Sequence, residues 1–342
     1  MAQYTPILRW KRGERVGVQR LTPAGKTDVT PLFLIAPDQF KEKPATASAP
    51  VRSAAEALAA ELKTAWGTTP FYLDASALVP SAAHTNPLVD IANAARVIGL
   101  QLIPATRLTA TAAYQADVLA VATVDTRGVA LRVDMQGLTS AASWTTAWPH
   151  ALGATDLIAD FADQIGVVAA LGAAVNTAFS SLHSATLWRS VTVAGSSIPA
   201  NLTGYAAGLH PIIRSEWSLW DQLNSASLPY QIHFGDYATI PLAAPPAGIA
   251  WGFPISVRYT LPGHFLICRG VGTTGFGGVD MDVQLSGHAT SITMYAHRNA
   301  LAHCWGDQRI DAIAGGGSPG NLESWVQIST NRHIEITRNR LP

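Results

Sequence analysis

Short apolar runs rich in β-branched and aromatic residues recur along the chain, and longer stretches of helix-forming residues separate most of them. Such runs are typical of buried strands, and the alternation of strands with helices predicts a parallel sheet. The predicted strands are Pro6–Trp10, Pro31–Ala36, Pro70–Asp74, Leu102–Leu108, Val129–Met135, Arg189–Ala194 and Tyr230–Tyr237. An eighth strand is expected in one arm of a hairpin formed by Ile255–Leu261 and His264–Arg269.

Helices are predicted in the stretches between these strands. Asn86 is a suitable N-cap, Pro87 suits the first turn and Gly99 is a typical stop signal. The predicted helices are Ser53–Thr64, Pro87–Ile98, Ala112–Val121, Ala154–Leu182 (one helix or two), Ser215–Leu223 and Ser291–His303. Gly-rich loops are expected at Gly270–Gly278 and Gly315–Gly320, and a final strand at Arg332–Thr337.

About eight strands with helices between most of them predict one α/β domain over residues 1–342, a TIM-like (β/α)8 barrel with an extra C-terminal strand. The alternative is an open, doubly wound α/β sheet. A dinucleotide-binding version of that sheet has no support, because no G-x-G-x-x-G motif follows the first strand.

The chain is lightly charged. Charged residues make up 13% of it, about half the usual share of ~25%, and Lys plus Arg balance Asp plus Glu at 23 each. The balance argues against a broad surface for duplex DNA, although a local basic pocket is compatible with it. A lightly charged surface favours a protein partner or a homo-oligomer, because little repulsion keeps copies apart.

Nothing in the sequence points outside the cell. The start of the chain does not look like a signal peptide, and the most apolar run, Ile165–Ala178, is too short to span a bilayer. Two cysteines, Cys268 and Cys304, are not a disulfide framework. We therefore expect a cytoplasmic protein that does not contact a membrane.

Polar residues cluster where the predicted strands end, and the carboxyl ends of barrel strands carry the active sites of this fold. Arg9 and Arg132 stand at two such ends. The residues selected as a candidate barrel-mouth rim are Lys11, Glu14, Asp74, Arg107, Asp134, Arg214, Glu216, Asp236, Tyr237, Arg258, Tyr259, Arg269, Asp307 and His333.

This rim has three interpretations. Its guanidinium groups could bind an anionic ligand such as a nucleotide or phosphodiester. Its arginines and carboxylates could instead form a structural network that binds nothing. Four carboxylates, Asp74, Asp134, Glu216 and Asp236, could also hold Mg²⁺ or Mn²⁺ for phosphodiester hydrolysis. No metal-binding motif stands at a strand end, and no G-x-S-x-G motif is present.

Ten tryptophans are many for a chain of this length. Trp217 and Trp220 lie three residues apart in a predicted helix and so share a face. Packing in the core or an interface explains them most simply. Stacking on the bases of a single-stranded nucleic acid is the alternative.

The opening segment Tyr4–Glu14 (YTPILRWKRGE) resembles the Y-x-P-I-L-K-W-K-x-G-E start of the phage Beta protein family. Landmarks of that family follow in order as Phe234–Tyr237, Val257–Thr260, Arg269-Gly270, Cys304–Asp307, Trp325 and Asn331–Ile334, so the resemblance covers almost the whole chain. The motif positions that it singles out are Lys11, Glu14, Asp236, Tyr237, Arg258, Tyr259, Trp305, Asp307 and His333. The family's start usually has Lys where this chain has Arg9, which puts a catalytic lysine there in doubt.

The resemblance implies a phage or mobile-element setting, with some family members in anti-phage or toxin-neutralising gene cassettes, and it carries no settled activity. We therefore expect an accessory protein that binds either the product of a neighbouring gene or an anionic ligand at the barrel mouth. The alternative is a metal-dependent phosphodiesterase or nuclease. A virion component is a weaker third reading, because all-β and long-helix patterns are missing.

Overall fold

The computed structural model describes residues 3–45, 51–242, 254–296, 298 and 303–342. Eight parallel strands close into a barrel, which confirms the predicted TIM-like fold and rules out the open sheet. The barrel strands are β1 (Tyr4–Arg9), β2 (Leu32–Leu34), β3 (Phe71–Asp74), β4 (Leu102–Arg107), β5 (Val129–Val133), β6 (Thr155–Asp160), β7 (Ser190–Gly195) and β9 (Ile232–Asp236).

Side chains alternate between the inside of the barrel and its outer face, as the two-residue period of a strand requires. On β1, Ile7 belongs to the small inner cluster of apolar residues, whereas Tyr4 and Leu8 pack outward in the main core beneath the helices. Asp236 at the end of β9 therefore points outward, while Tyr237, the next residue, joins the inner cluster. This alternation decides which of the rim residues meet.

Helices surround the barrel and begin where the sequence offers caps. Ser53 and Glu56 form a capping box at the second helix, and Thr111 caps the fourth. The helices are α1 (Arg12–Gln19), α2 (Ala54–Ala65), α3 (Pro87–Val97), α4 (Ala112–Asp125), α5 (Met135–Thr139), α6 (Ala141–Trp144), α7 (Ile165–Ala170), α8 (Ala173–Ser180), α9 (Ser215–Asn224), α10 (Met281–Thr293), α11 (Trp305–Ala314) and α12 (Leu322–Arg340).

The last helix, α12, takes the place of the eighth outer helix of the barrel and packs along α1. Two glycines of α1 allow the close approach. A Cβ at Gly13 would lie 2.6 Å from Val326 Cγ1, and one at Gly17 would lie 2.8 Å from the Gln327 carbonyl oxygen. The far end of α12 returns to the start of the barrel, where Arg338 pairs with Asp28 at 3.1 Å.

A separate antiparallel sheet interrupts the barrel pattern after β7 and after β9. Its strands are β8 (Gly208–Ile213), β10 (Ser256–Thr260) and β11 (His264–Arg269), in the order β10-β11-β8. One face packs on α10, α11 and the start of α12. The predicted hairpin is therefore real, but the prediction that one arm closes the barrel is wrong.

The barrel strand that the sequence did not predict is β6, which lies inside the stretch predicted as helix, Ala154–Leu182. Its sequence TDLIAD is short and begins two residues after Gly153, and the longer apolar run that follows it hides the strand pattern. The helical remainder is broken at Gly172, which has a φ of 49° and separates α7 from α8. This left-handed conformation suits glycine.

The predicted extra C-terminal strand, Arg332–Thr337, is also wrong, because these residues form the middle of α12. The segment contains β-branched residues, but α1 and β10 pack against α12 and bury nearly all of it. Tertiary packing outweighs the weak intrinsic preference. The predicted helix Ser291–His303 overlaps only the end of α10, and most of its second half, including 297 and 299–302, lies outside the described residues.

Within the described ranges, no single helix is long and apolar enough to cross a membrane. One sharply bent pair, Ala162–Ala170 with Ala173–Ser180, passes the same test by length and composition alone.

Candidate functional site

Arg132 lies at the barrel mouth, where its guanidinium group donates hydrogen bonds to three side chains. It projects inward from β5 with 2% of its surface exposed. Its Nη1 donates to Asp74 Oδ2 at 2.8 Å, and its Nη2 donates to Asp160 Oδ2 at 2.6 Å and to the Tyr237 hydroxyl at 2.7 Å. Tyr237 in turn donates to Asp160 at 2.6 Å. The arginine, two carboxylates and phenol form a closed cluster that ties four strands together, which we call the Arg132 cluster.

A cavity of about 100 Å³ opens beside the Arg132 cluster. Arg107 from the end of β4 and Asp134, the N-cap of α5, line it. Asp134 accepts a hydrogen bond from the Gly137 amide at 2.7 Å, so part of its bonding capacity is used by the helix. The Arg107 side chain is exposed, and no carboxylate pairs with it in the described part of the chain.

A second group of cations includes Arg9 at the end of β1 and Arg258 in the middle of β10. Arg9, the last residue of β1, faces Glu14 of α1 with Nε 3.7 Å from Oε2. Arg258 of β10 lies close enough to Arg9 that the positive charge affects it: burial, and secondly Arg9, lower the pKa of Arg258 to about 10. We call Arg9 and Arg258 the arginine pair.

Arg258 has no acidic partner. Its Nε is buried without a hydrogen-bond partner among the described residues, and no carboxylate lies within 4 Å of its guanidinium. Every Asp and Glu of the chain belongs to the described residues, so the missing counter-ion is not an acid elsewhere in the sequence. Lys11, the N-cap of α1, is exposed near the same place.

Glu14 is the one acid beside the arginine pair. It is 3% exposed, and its Oε1 accepts a hydrogen bond from the Arg9 amide at 3.2 Å. Burial raises the pKa of Glu14 to about 7, although the charges of Arg9 and Lys11 and the Arg9 amide act in the opposite direction. A carboxyl with this pKa is only partly ionised near neutral pH.

Four other rim residues form a buried network on the outer wall of the barrel. Asp236 accepts hydrogen bonds from His333 Nε2 at 2.7 Å, Tyr4 at 2.8 Å and Arg214 at 3.1 Å, and Arg214 also bonds Glu216. Burial would raise the pKa of Asp236, but His333 and Arg214 outweigh it and lower that pKa. The network joins β9, α9 and α12.

The network contains an Asp–His–Thr chain with the connectivity of a catalytic triad. His333 bonds Asp236 through Nε2, and its Nδ1 lies 2.9 Å from Thr260 Oγ1. Each of the three residues is at most 1% exposed, and Phe265 stacks on the imidazole. A nucleophile must reach its substrate. We therefore interpret the Asp236–His333–Thr260 hydrogen bonds as structural, because they anchor the three-stranded sheet to the barrel.

The remaining rim residues are bonded within the three-stranded sheet and the helices that pack on it. Tyr259 donates to Asp307 Oδ1 at 2.8 Å, and Asp307 also accepts from Arg332 at 2.5 Å, inside the core of the three-stranded sheet and its helices. Arg269, the last residue of β11, pairs with Ser256 at the start of β10 and donates to the Tyr205 carbonyl oxygen at 3.1 Å. Trp305 lies at the start of α11, where Arg20 stacks on its ring.

The four carboxylates considered as ligands for Mg²⁺ or Mn²⁺ are distributed over three places. Asp74 belongs to the Arg132 cluster, Asp134 caps α5, and Glu216 and Asp236 pair with Arg214. No group of three or more His, Cys, Asp and Glu among the described residues is arranged to hold a metal ion.

Asp160 is absent from the predicted rim, because the sequence predicts a helix where β6 lies. Arg9 and Arg132 stand at predicted strand ends but are not among the predicted rim residues. The polar residue that ends each apolar run is a usable signal for all three, provided that β6 is recognised as a strand.

A model of the Beta protein family matches residues 4–337. The chain belongs to the Beta protein family. No curated protein matches the sequence. In this Beta protein, the opening motif that carries the resemblance has a structural basis: Gly13 allows α12 to approach α1, and Glu14 closes the turn between β1 and α1.

Proposed function

We propose that this Beta protein is a binding module that holds an anionic ligand at the barrel mouth. The observation that carries the proposal is the arginine pair, in which the partly buried Arg258 has another arginine beside it and no carboxylate. An uncompensated charge of this kind is costly to bury. An anion would supply the missing counter-charge.

The charge distribution around the mouth supports the proposal. Asp74 and Asp160 are both bound to Arg132, whereas Arg107 and Arg258 have no carboxylate partner in the described part of the chain. The uncommitted charge at this end of the molecule is therefore mostly positive. The overall neutrality of the chain favours a small anionic ligand over a long polyanion.

A phosphate-like oxyanion is the ligand class that these residues fit best. A guanidinium group presents planar N–H donors that match phosphate and carboxylate oxygens in pairs. Nucleotides and the terminal phosphate of a single-stranded oligonucleotide belong to this class.

The biological setting that we propose is that of a phage or mobile-element accessory protein, working with the product of a neighbouring gene in a defence or toxin-neutralising cassette. Membership of the Beta protein family supports this setting, together with the low surface charge that favours a protein partner. Co-expression with each neighbouring gene product, followed by size-exclusion chromatography, tests it. A partner should elute with the wild-type chain as a complex of defined stoichiometry, and its absence for every neighbour would contradict the setting.

Thermal unfolding with and without added anions tests the ligand proposal. A ligand at a hundredfold excess over its Kd stabilises the folded state by about 2.7 kcal/mol, so sulfate, phosphate or nucleotides should raise the Tm by a few degrees. Sulfate also stabilises folded proteins in general, because it is excluded from their surfaces. The informative quantity is therefore the difference between the wild type and Arg258→Met.

Arg269→Met is the matched control, because Arg269 is an arginine of the same sheet whose Nε is already bonded to the Tyr205 carbonyl oxygen. We expect the anion-dependent shift to disappear in Arg258→Met and to remain in Arg269→Met. Equal shifts in all three proteins would show general salt stabilisation and would overturn the proposal.

A further inference from the structure

Glu14 already pairs with Arg9, one of the two arginines that an anionic ligand would bind. Its Oε2 lies 3.7 Å from Arg9 Nε, and the Arg9 charge in turn acts on Arg258, whose buried Nε has no hydrogen-bond partner among the described residues. The charges are therefore arranged as a carboxylate, a shared arginine and an arginine with no carboxylate of its own. An anion that binds both guanidinium groups must compete with Glu14 for Arg9.

We propose that Glu14 is the resident counter-ion of the anion site, and that it takes up a proton when a phosphate-like ligand binds Arg9 and Arg258. This inference rests on the proposed function, because it requires that an anion binds there. It adds a regulation to that site, namely tighter binding at acidic than at alkaline pH.

The energetic basis is the loss of Arg9 as a partner of Glu14. The nearby Arg9 charge favours the ionised carboxyl, and it acts against the burial that raises the pKa to about 7. A bound anion would neutralise Arg9 and add a negative charge near Glu14, and both changes favour the protonated carboxyl. Binding should then take up a proton wherever free Glu14 is ionised.

The other charged groups around Glu14 are already engaged or lie in solvent. Lys11, at the beginning of α1, is exposed, and its charge has a smaller effect on the pKa of Glu14 than burial or Arg9 has. Arg12 pairs with Glu323 of α12 at 3.4 Å, and Arg15 pairs with Glu61 of α2. Arg9 is thus the cation through which a ligand can affect Glu14.

A purely structural role makes a different prediction. Glu14 Oε1 accepts the Arg9 amide hydrogen bond, and a glutamine at this position keeps an oxygen in the same place. If Glu14 only closes this turn, Glu14→Gln should leave the pH dependence of binding unchanged. If Glu14 is the counter-ion, the same variant should abolish that dependence.

The experiment is a calorimetric titration with sulfate between pH 6 and pH 8, because sulfate keeps the same charge over this range whereas phosphate does not. For the wild type, linkage to one proton predicts that the Kd rises by roughly five- to tenfold from pH 6 to pH 8. Titrations in two buffers of different ionisation enthalpy should show net proton uptake near pH 8. Glu14→Gln should bind at pH 8 about as tightly as the wild type does at pH 6.

Glu323→Gln is the matched control, since it removes a carboxylate near α1 that pairs with Arg12 and not with Arg9. It should retain the wild-type pH dependence. If the wild type and Glu14→Gln bind sulfate with the same pH dependence, the proposed coupling to Glu14 is wrong, but the anion site is still supported. No sulfate binding in either protein at any pH would reject the anion site itself, and the coupling with it.

Discussion

Arg132 and Arg258 lie at the same end of the barrel, and their surroundings are opposite. Arg132 is buried with two carboxylates and a phenol, and Asp160 is the main cause that raises its pKa against the effect of burial. Arg258 has a buried Nε without a partner among the described residues, and both burial and Arg9 lower its pKa. The first arginine has all the counter-charge that it needs, and the second has none within the protein.

The presence or absence of carboxylate partners distinguishes an arginine with a structural role from a candidate ligand-binding arginine, although both stand at predicted strand ends or in predicted strands. A buried arginine with a full set of acceptors stabilises the fold, because removing it would leave buried carboxylates unpaired. A partly buried arginine that has a buried Nε without a partner and no carboxylate nearby reduces stability, and such a defect is expected at sites where a ligand completes the arrangement. The interpretation of the rim as a structural network therefore describes the Arg132 cluster, while the anion-binding interpretation is retained for the arginine pair.

The largest expected effect is the loss of stability in Arg132→Met. The substitution leaves Asp74 and Asp160 buried without their cation, which should lower the free energy of unfolding by about 3–5 kcal/mol. Urea denaturation followed by circular dichroism measures the change. Arg107→Met, an exposed arginine at the same mouth, is the control and should stay within about 0.5 kcal/mol of the wild type. If Arg132→Met lowers the free energy of unfolding by less than about 1 kcal/mol, the Arg132 cluster does not stabilise the barrel as proposed.

The next effect concerns pH. Glu14 has a pKa of about 7 in the folded protein, above its ordinary value of 4.5, so the folded state binds more protons than the unfolded state between these two pH values. Stability should therefore fall as the pH rises through this window, by about 3 kcal/mol in total from this group. Glu14→Gln should remove that fall and be the more stable protein at pH 8, as measured by urea denaturation at a series of pH values. Parallel profiles for the two proteins would place the pKa of Glu14 near its ordinary value.

Much of the barrel could be predicted from the sequence, because its strands are short apolar runs with clear boundaries. Seven of the predicted runs correspond to barrel strands, and Asn86, Pro87 and Gly99 bound α3 closely. The errors occurred where tertiary contacts decide. The β-branched residues of Arg332–Thr337 suit a strand, but their place between α1 and β10 makes them helical.

The site was less predictable than the fold, because a strand-end residue can face either side of the wall. Asp236 and Tyr237 are adjacent, yet the first joins the outer network with His333 and the second joins the Arg132 cluster inside. A shift of one residue exchanges these roles. The arginine pair was not predictable either, since Arg9 and Arg258 are far apart in the sequence and their charges affect each other only because the inserted sheet carries Arg258.

The smallest expected change in stability, and the sharpest contrast with Arg132, comes from Arg258→Met. Replacing a charge that has no buried partner by an apolar side chain of similar length removes a desolvation cost, so stability should stay within about 1 kcal/mol of the wild type or rise. The same substitution should therefore destabilise the protein at Arg132 and leave its stability nearly unchanged or higher at Arg258, in the same urea assay. Added sulfate should then stabilise the wild type more than Arg258→Met, because only the wild type retains the second guanidinium of the arginine pair. A loss in Arg258→Met as large as that in Arg132→Met would mean that Arg258 supports the fold, and the distinction between the two arginines would fail.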